Sequence, residues 1–400
     1  MTALLEGVRI VEVAAWTFVP GAGAMLADLG ADVIKVEPLT GDPQRGLQNL
    51  LNFDRKGANP FVEIPNRGKR SIAVDLATTD GLDVVRRLVE TADVFLTSYL
   101  PATRQKLRID VDDLRAINPD LIYVRGSGWG SRGPLADQGG FDLAAGWASS
   151  GTAFKLTPQG GEPPAQPAAF YDLQGSTTIT GAIAAALFRR ERSGETSVID
   201  VSLLGVSMWT LAPDIVGAQF VGNLPAANRN SPGNPLVNWY KTKDQRWLYL
   251  VLLQADRYWQ ELCEHLGEPK LAGDARFVDA KARFENRAEC VAVLDAIFAR
   301  RTLEEWGQQL AGFSGVWAPV LAPAEVHQHV QVEPNGYLPV VTAPDGTEFR
   351  LVAPPMQFDG APAVPKGPAP EIGEHGEEVM LELGLDWDTI LAYKTRGGVL

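Results

Sequence analysis

Short, β-branched apolar runs alternate with helix-like segments through the first 130 of 400 residues, and this rhythm limits the folds open to the chain. Residues 8–13 (VRIVEV), 32–36 (DVIKV), 71–75, 93–97 (DVFLT) and 121–125 (LIYVR) read as strands. Between them, 21–29 reads as a helix of small residues and 79–91 as an amphipathic helix. Strands that are apolar almost throughout are buried on both faces, which calls for a parallel sheet with helices on each side. We therefore expect an α/β protein with a large, doubly wound domain. Two more helical patterns follow at 139–153 and 174–192; the second ends in basic residues, which suits a helix C-terminus.

Composition shifts at 222–235 (GNLPAANRNSPGNP), a polar, Pro-rich stretch that reads as a linker or exposed loop. Beyond it come a buried-strand pattern at 247–253 (WLYLVLL) and helices at 257–266, 283–300 and 303–310. We place a smaller α/β domain at 223–330 and assign 1–222 and 331–400 to the large domain. In the return segment, 337–341 and 349–352 read as a hairpin around Pro344-Asp345-Gly346. A Pro/Ala-rich extended stretch spans 359–370, and closing helices are expected at 377–383 and 387–394.

Several function classes drop out on charge and residue usage. Against 36 Lys and Arg stand 49 Asp and Glu, a net −13, which disfavours non-specific binding to nucleic acid or an anionic membrane. An anionic small molecule would need a local cluster of basic side chains and backbone N–H groups. Cys263 and Cys290 are the two cysteines, which fits a reduced compartment and leaves no disulfide framework or Cys-rich metal site. The start of the chain lacks a basic signal region, and no apolar run reaches the roughly 18 residues of a membrane span. A soluble cytoplasmic protein without a metal is the expectation.

The four histidines are His265, His327, His329 and His375, so nothing before residue 265 can act as an imidazole base. His327 and His329 have no Cys, Asp or Glu spaced to complete a zinc site, and read as loop histidines. Around Ser127 the glycines are offset from a nucleophile elbow. Gly21-Ala22-Gly23 before a helix, with Glu37 ending the second strand, suggests a dinucleotide site. Against a nicotinamide enzyme, Leu26 stands where the third glycine belongs, and about seven residues separate strand from glycine; close helix–sheet packing explains the small residues as well.

Asp172 has an apolar approach in Ala168-Ala169-Phe170-Tyr171 and precedes a long apolar helix pattern. Helix N-terminal N–H groups there would hold the carboxylate ionised. Two readings stand: a helix N-cap, or a carboxylate nucleophile in an apolar pocket with Gly175 allowing close approach of backbone and ligand.

At these residues the sequence resembles the family III CoA-transferases, which include formyl-CoA and carnitine-CoA transferases and, on the same Rossmann-like scaffold, α-methylacyl-CoA racemase. The likeness runs through Gly7-Val8-Arg9-Ile10-Val11, Leu29-Gly30-Ala31-Asp32-Val33-Ile34-Lys35-Val36-Glu37, Gly41-Asp42-Pro43, Asn66-Arg67-Gly68-Lys69-Arg70-Ser71-Ile72, Asn118-Pro119-Asp120-Leu121-Ile122-Tyr123, Gly133-Pro134 and Gly373-Glu374-His375. Asp172 falls at the family's catalytic aspartate, with Arg190 and Gly194 at the matching 18 and 22 residues beyond it. The resemblance implies a transfer of CoA between an acyl-CoA and a carboxylic acid acceptor through an aspartyl anhydride and an aspartyl-CoA thioester. It implies CoA contacts from Ala15, Trp16 and Thr17 after the first strand and from Ser98, Tyr99 and Lys106 after the fourth. Lys35, Arg45 and Arg70 are weaker candidates for phosphate charge, and Arg70 is equally a candidate for a structural ion pair. It also implies an interlocked homodimer, each chain leaving the large domain, building the small one and returning.

The chain departs from the family pattern in places. Ser98-Tyr99-Leu100-Pro101-Ala102 replaces Asn-Phe-Arg-Pro-Gly, and Pro38 stands where an Arg often follows the acid, removing one phosphate contact. The glycine-rich flap of the formyl-CoA enzymes has no counterpart; residues 228–235 supply one glycine, Gly233. Where racemases carry Gly-His-Asp, this chain has Gly140-Phe141-Asp142. Phe141 cannot shuttle a proton, which argues for transfer over racemisation, with Phe141 and Asp142 lining the substrate pocket and Gly175 near the oxyanion.

Overall fold

Six parallel strands carry the apolar runs: β1 (Arg9–Val13), β2 (Asp32–Glu37), β3 (Arg70–Ala73), β4 (Val94–Thr97), β5 (Ile122–Ser127) and β6 (Val198–Ser202). They lie in the order β3-β2-β1-β4-β5-β6 in the computed structural model, which describes residues 3–47, 58–223, 226–343 and 345–400. Alternate side chains feed two separate cores. Ile10, Val33, Leu96, Ile122 and Val124 face the helices Phe18–Asp28 and Phe170–Ser193. Val11, Ile34, Val36, Phe95 and Tyr123 face the Thr79–Glu90 helix and the closing helices Gly376–Glu382 and Trp387–Thr395. A strand buried on both faces has no polar position to spare, hence the unbroken apolar runs.

The chain divides into two compact units. One comprises Met1–Lys155, Pro164–Leu224 and Val330–Leu400; the other comprises Leu156–Pro163 and Pro225–His329. The short stretch Leu156–Pro163 thus belongs with the second unit, although its position in sequence suggested the large domain. The first unit ends by returning to the sheet, where Val399 bridges Val74 in antiparallel fashion.

The second unit is built on the antiparallel strands β7 (Val237–Lys241), β8 (Trp247–Val251) and β9 (Trp317–Pro319). Here alternation is visible: Leu248 and Leu250 are buried while Tyr249 and Val251 are exposed, because one face of this sheet alone packs on helices. Tyr240, Trp259, Phe298 and Trp306 fill that core. Cys263 and Cys290 are buried in it as free thiols, and burial pushes both up to about 12, so they stay protonated and inert.

Several elements differ from the sequence reading, four of them near the site or the return segment. Strand β6 was not anticipated; it is an edge strand of five residues between two helices, with Val198 and Asp200 exposed, and Asp200 interrupts its short apolar run. The pattern at 139–153 splits into a π-helix, Asp142–Ala148, and a short α-helix, Thr152–Leu156. The helix expected at 174–192 starts four residues earlier and runs over Phe170–Ser193, ending at Gly194, whose φ of +71° is readily reached by glycine. The return hairpin pairs β10 (Val340–Thr342) with β11 (Glu348–Arg350), and Pro344 of its turn lies outside the described residues. Among the described residues no helix is long and apolar enough to cross a membrane, and no group of three or more His, Cys, Asp or Glu side chains converges as a metal site would require.

Candidate active site

Strands β1 and β4 are neighbours in space although β2 and β3 intervene in sequence, so the strand order reverses between them. In open parallel sheets, ligands bind where the carboxyl ends of strands part at such a point. Ser98, after β4, spans it: its Oγ accepts from the Ala15 N–H at 3.0 Å and donates to the Ala15 carbonyl at 3.4 Å. Trp16 follows in the left-handed region, φ +70°, a costly conformation for a bulky residue that persists only where surrounding contacts enforce it. One such contact is the Trp16 N–H donating to Asp42 Oδ1 at 3.2 Å. Thr17 is buried, its hydroxyl accepting from Gln44 Nε2 at 3.1 Å. The Trp16 ring meets Phe141 edge to face, centroids 5.6 Å apart.

Asp172 lies in the first turn of the Phe170–Ser193 helix, which packs closely on the Phe18–Asp28 helix. Ser176, one turn on, donates to the Phe18 carbonyl at 2.8 Å and the Asp172 carbonyl at 2.9 Å, tying the two helix starts together. Burial pushes the Asp172 carboxyl up to about 7, and the carboxylate of Asp142 adds to the rise. Among the described residues nothing hydrogen-bonds the Asp172 side chain. This corrects the expectation that helix N–H groups hold it ionised. The side chain sits inside the first turn rather than ahead of it, and desolvation outweighs the helix dipole. Asp142 is buried at the start of the π-helix, where Oδ2 accepts from Gln166 Nε2.

Gly175 also departs from its expected role. A methyl group there would overlap the Phe18 ring, so glycine serves the close approach of two helices, not of a ligand. Its N–H lies past the first turn and is engaged in the helix, whereas the amides of Phe170, Tyr171 and Asp172 are the unpaired donors at that end. Gly21 and Gly23 are packing glycines as well; added methyls would strike Ser176 and Glu12. The dinucleotide reading of that segment falls with this observation.

The expected phosphate cations are dispersed. Lys35 is fully buried, with Nζ bonded to Glu12 at 3.2 Å, Asp42 at 2.9 Å and the Ala14 carbonyl at 3.1 Å. All three of its donors are spent, so it is no phosphate ligand. Arg70 opens β3 at the amino edge of the sheet and pairs with Asp32 at 2.7 Å, Glu382 at 2.7 Å and Glu378 at 3.2 Å, the structural role of its two alternatives. Arg45 pairs with Glu37 at 2.7 Å and borders a cavity of about 1020 Å³ lined also by Lys366 and His375. Lys106 lies exposed at the end of the Pro101–Lys106 helix.

A cavity of about 340 Å³ opens at the carboxyl ends of β2, β3 and β4, lined by Tyr99 together with residues 36–40 and 74–77 and Leu107. Of these, Tyr99, Pro38 and Glu37 stand out in the sequence. Applying the strand-end rule to β2 and β3 as well as to β1 and β4 would have found the rest.

CoA-transferase family III matches residues 5–376, nearly the whole chain. The chain belongs to this family. It is similar to a succinate–glutarate CoA-transferase of Agrobacterium fabrum, 33% identical and covering 95% of each chain. It is also similar to an (R)-2-hydroxy-4-methylpentanoate CoA-transferase of Clostridioides difficile, 28% identical and covering 98% of each. The fold matches the crystal structure of a CaiB/BaiF family protein of Brucella suis with a TM-score of 0.83, at 29% identity over 96% of this chain and 100% of that one. The chain is thus an enzyme of CoA transfer, with CoA thioesters as substrates.

Proposed function

We propose that this enzyme moves CoA from an acyl-CoA donor to a carboxylic acid acceptor with Asp172 as nucleophile. The observation that carries the reading is a half-buried carboxyl group with no hydrogen-bond partner among the described residues, raised to about 7, on a helix whose first turn is tied to Phe18 beside the β1–β4 crevice. A weakly solvated carboxylate is more nucleophilic than one held by donors.

An Asp172 oxygen attacks the donor's thioester carbonyl; the C–S bond breaks, CoA thiolate leaves and a mixed anhydride forms. The thiolate attacks the aspartyl carbonyl carbon and expels the donor acid, leaving an aspartyl-CoA thioester. The acceptor carboxylate attacks that thioester, again releasing thiolate and forming an anhydride. Thiolate attack on the acceptor's acyl carbon then frees Asp172 and the new acyl-CoA. The first-turn amides of Phe170 and Tyr171 are donors suited to the oxyanions. In this reading Ala15, Trp16, Thr17, Ser98 and Tyr99 contact CoA, with Lys106 and Arg45 as the remaining candidates for its phosphates. Pro38 lines the same cavity as Tyr99 but offers no charge.

We also infer a homodimer. Trp209 and Phe220 are 83% and 81% exposed on neighbouring helices, with Phe188 and Val221 exposed as well, an apolar surface that monomers avoid. Light scattering on the purified protein tests this; a monomer at micromolar concentration ends it.

Asp172→Ala should abolish transfer while leaving CoA binding nearly intact, and full turnover by that variant would end the proposal. Mass spectrometry after mixing with acyl-CoA and hydroxylamine should find Asp172 modified. A racemase would instead exchange an α-proton of 2-methylacyl-CoA in D2O without any acceptor acid.

A further inference from the structure

Resting on the transferase reading of Asp172, we infer that its acyl subsite takes acyl groups without a second charge, aromatic or otherwise bulky and apolar, and excludes dicarboxylic acyl groups such as succinyl. Trp16 and Phe141 meet at 5.6 Å, Trp147 and Phe170 at 5.9 Å, and Phe170 and Tyr171 at 5.1 Å, each pair edge to face. The polar side-chain atoms of Tyr171 and Trp147 are already satisfied within the protein. Tyr171 Oη lies 2.6 Å from Thr152 Oγ1, and Trp147 Nε1 donates to the Pro164 carbonyl at 3.1 Å. What remains for a ligand is ring surface: Phe141 is 61% exposed and Phe170 is 38% exposed.

Charge points the same way. The ionisable group acting on Asp172 is another acid, Asp142, and no cation offsets it. On the Phe170–Ser193 helix itself no charged residue occurs between Asp172 and Arg189. Against that helix pack the Phe18–Asp28 helix, the π-helix, the Leu203–Thr210 helix, β5 and β6. Together these elements carry one base, Arg125, which is held by both oxygens of Asp200 at 2.7 and 2.8 Å. Lys155, near Thr152 in sequence, pairs with Asp214 at 2.7 Å. A distal carboxylate entering this subsite would lose its hydration, find no counter-charge and meet two acids, whereas an apolar acyl group gains the ring contacts. The same holds for the acceptor acid, since donor and acceptor acyl groups occupy the subsite in turn.

The test is a panel of donors on the full-length protein: phenylacetyl-CoA, butyryl-CoA and succinyl-CoA. It reads kcat/KM and, in single turnovers with hydroxylamine, the mass of the Asp172 peptide. Phenylacetyl-CoA should exceed succinyl-CoA by about tenfold or more in kcat/KM. Phe141→Arg, which brings a cation to the exposed ring position, should narrow or reverse that ratio by raising the succinyl-CoA value. Adducts formed preferentially from succinyl-CoA overturn the substrate class and leave Asp172 as nucleophile. No adduct from any donor overturns the transferase mechanism itself, a different result.

Discussion

Two groups of largely desolvated carboxylates contrast in this protein. On one side Glu12 is fully buried and bonded to Lys69 Nζ at 2.8 and 2.7 Å and to Lys35 Nζ at 3.2 Å, while Asp42 takes Lys35 and the amides of Trp16 and Gln44. Burial brings Lys69 down to about 8 against the pull of Glu12. On the other side, Asp172 and Asp142 share one glutamine amide, on Asp142, and no cation. The first group is compensated and holds a strained loop in place. The second is uncompensated, and that is where a protein keeps reactivity rather than support.

The comparison breaks most readily at Glu12. Glu12→Ala leaves Lys69 buried without its carboxylate partner and should cost about 3–5 kcal/mol in urea unfolding. A loss below about 1 kcal/mol would mean the network contributes little. Next in size, Gly175→Ala forces its methyl against Phe18, and the shift of two packed helices should destabilise by about 1–3 kcal/mol, with activity falling further than for a neutral surface change.

The uncompensated side predicts a pH dependence of opposite sign to an ordinary paired acid. Because folding raises the Asp172 midpoint from 3.8 to about 7, its favourable contribution is complete below about pH 4 and is lost as pH rises through 7. Asp172→Asn cannot ionise, so it should melt higher than wild type at pH 8 and about equally at pH 4, by about 1–2 kcal/mol after allowing for partial exposure. Equal differences at both pH values would contradict the raised midpoint. Smallest is Asp142→Asn. Removing the like charge should move the rising limb of the pH profile of kcat/KM, expected near 7 in wild type, down by up to about one unit.

Much of the scaffold was readable from residues alone. Five of the six strands in the large sheet, the amphipathic Thr79–Glu90 helix and both closing helices follow local rules of periodicity and side-chain branching. Strand β6 escaped because an edge strand with Asp200 in its middle has a weak periodic signal. The start of the Phe170–Ser193 helix was misplaced because Ala169, at φ +54°, supplies an N-cap without a capping side chain.

Chain order and residue type determined the α/β class, the position of Asp172 ahead of a long apolar segment, and the absence of histidine before residue 265. They could not decide the state of any charge. Lys35 and Arg70 sit in charged company along the sequence and Asp172 in apolar company, yet tertiary packing spends the first in a buried triad, the second on surface acids, and gives the third no cation. Electrostatic energy depends on separation and on how much water remains between the groups, and both are properties of the folded arrangement, not of sequence spacing.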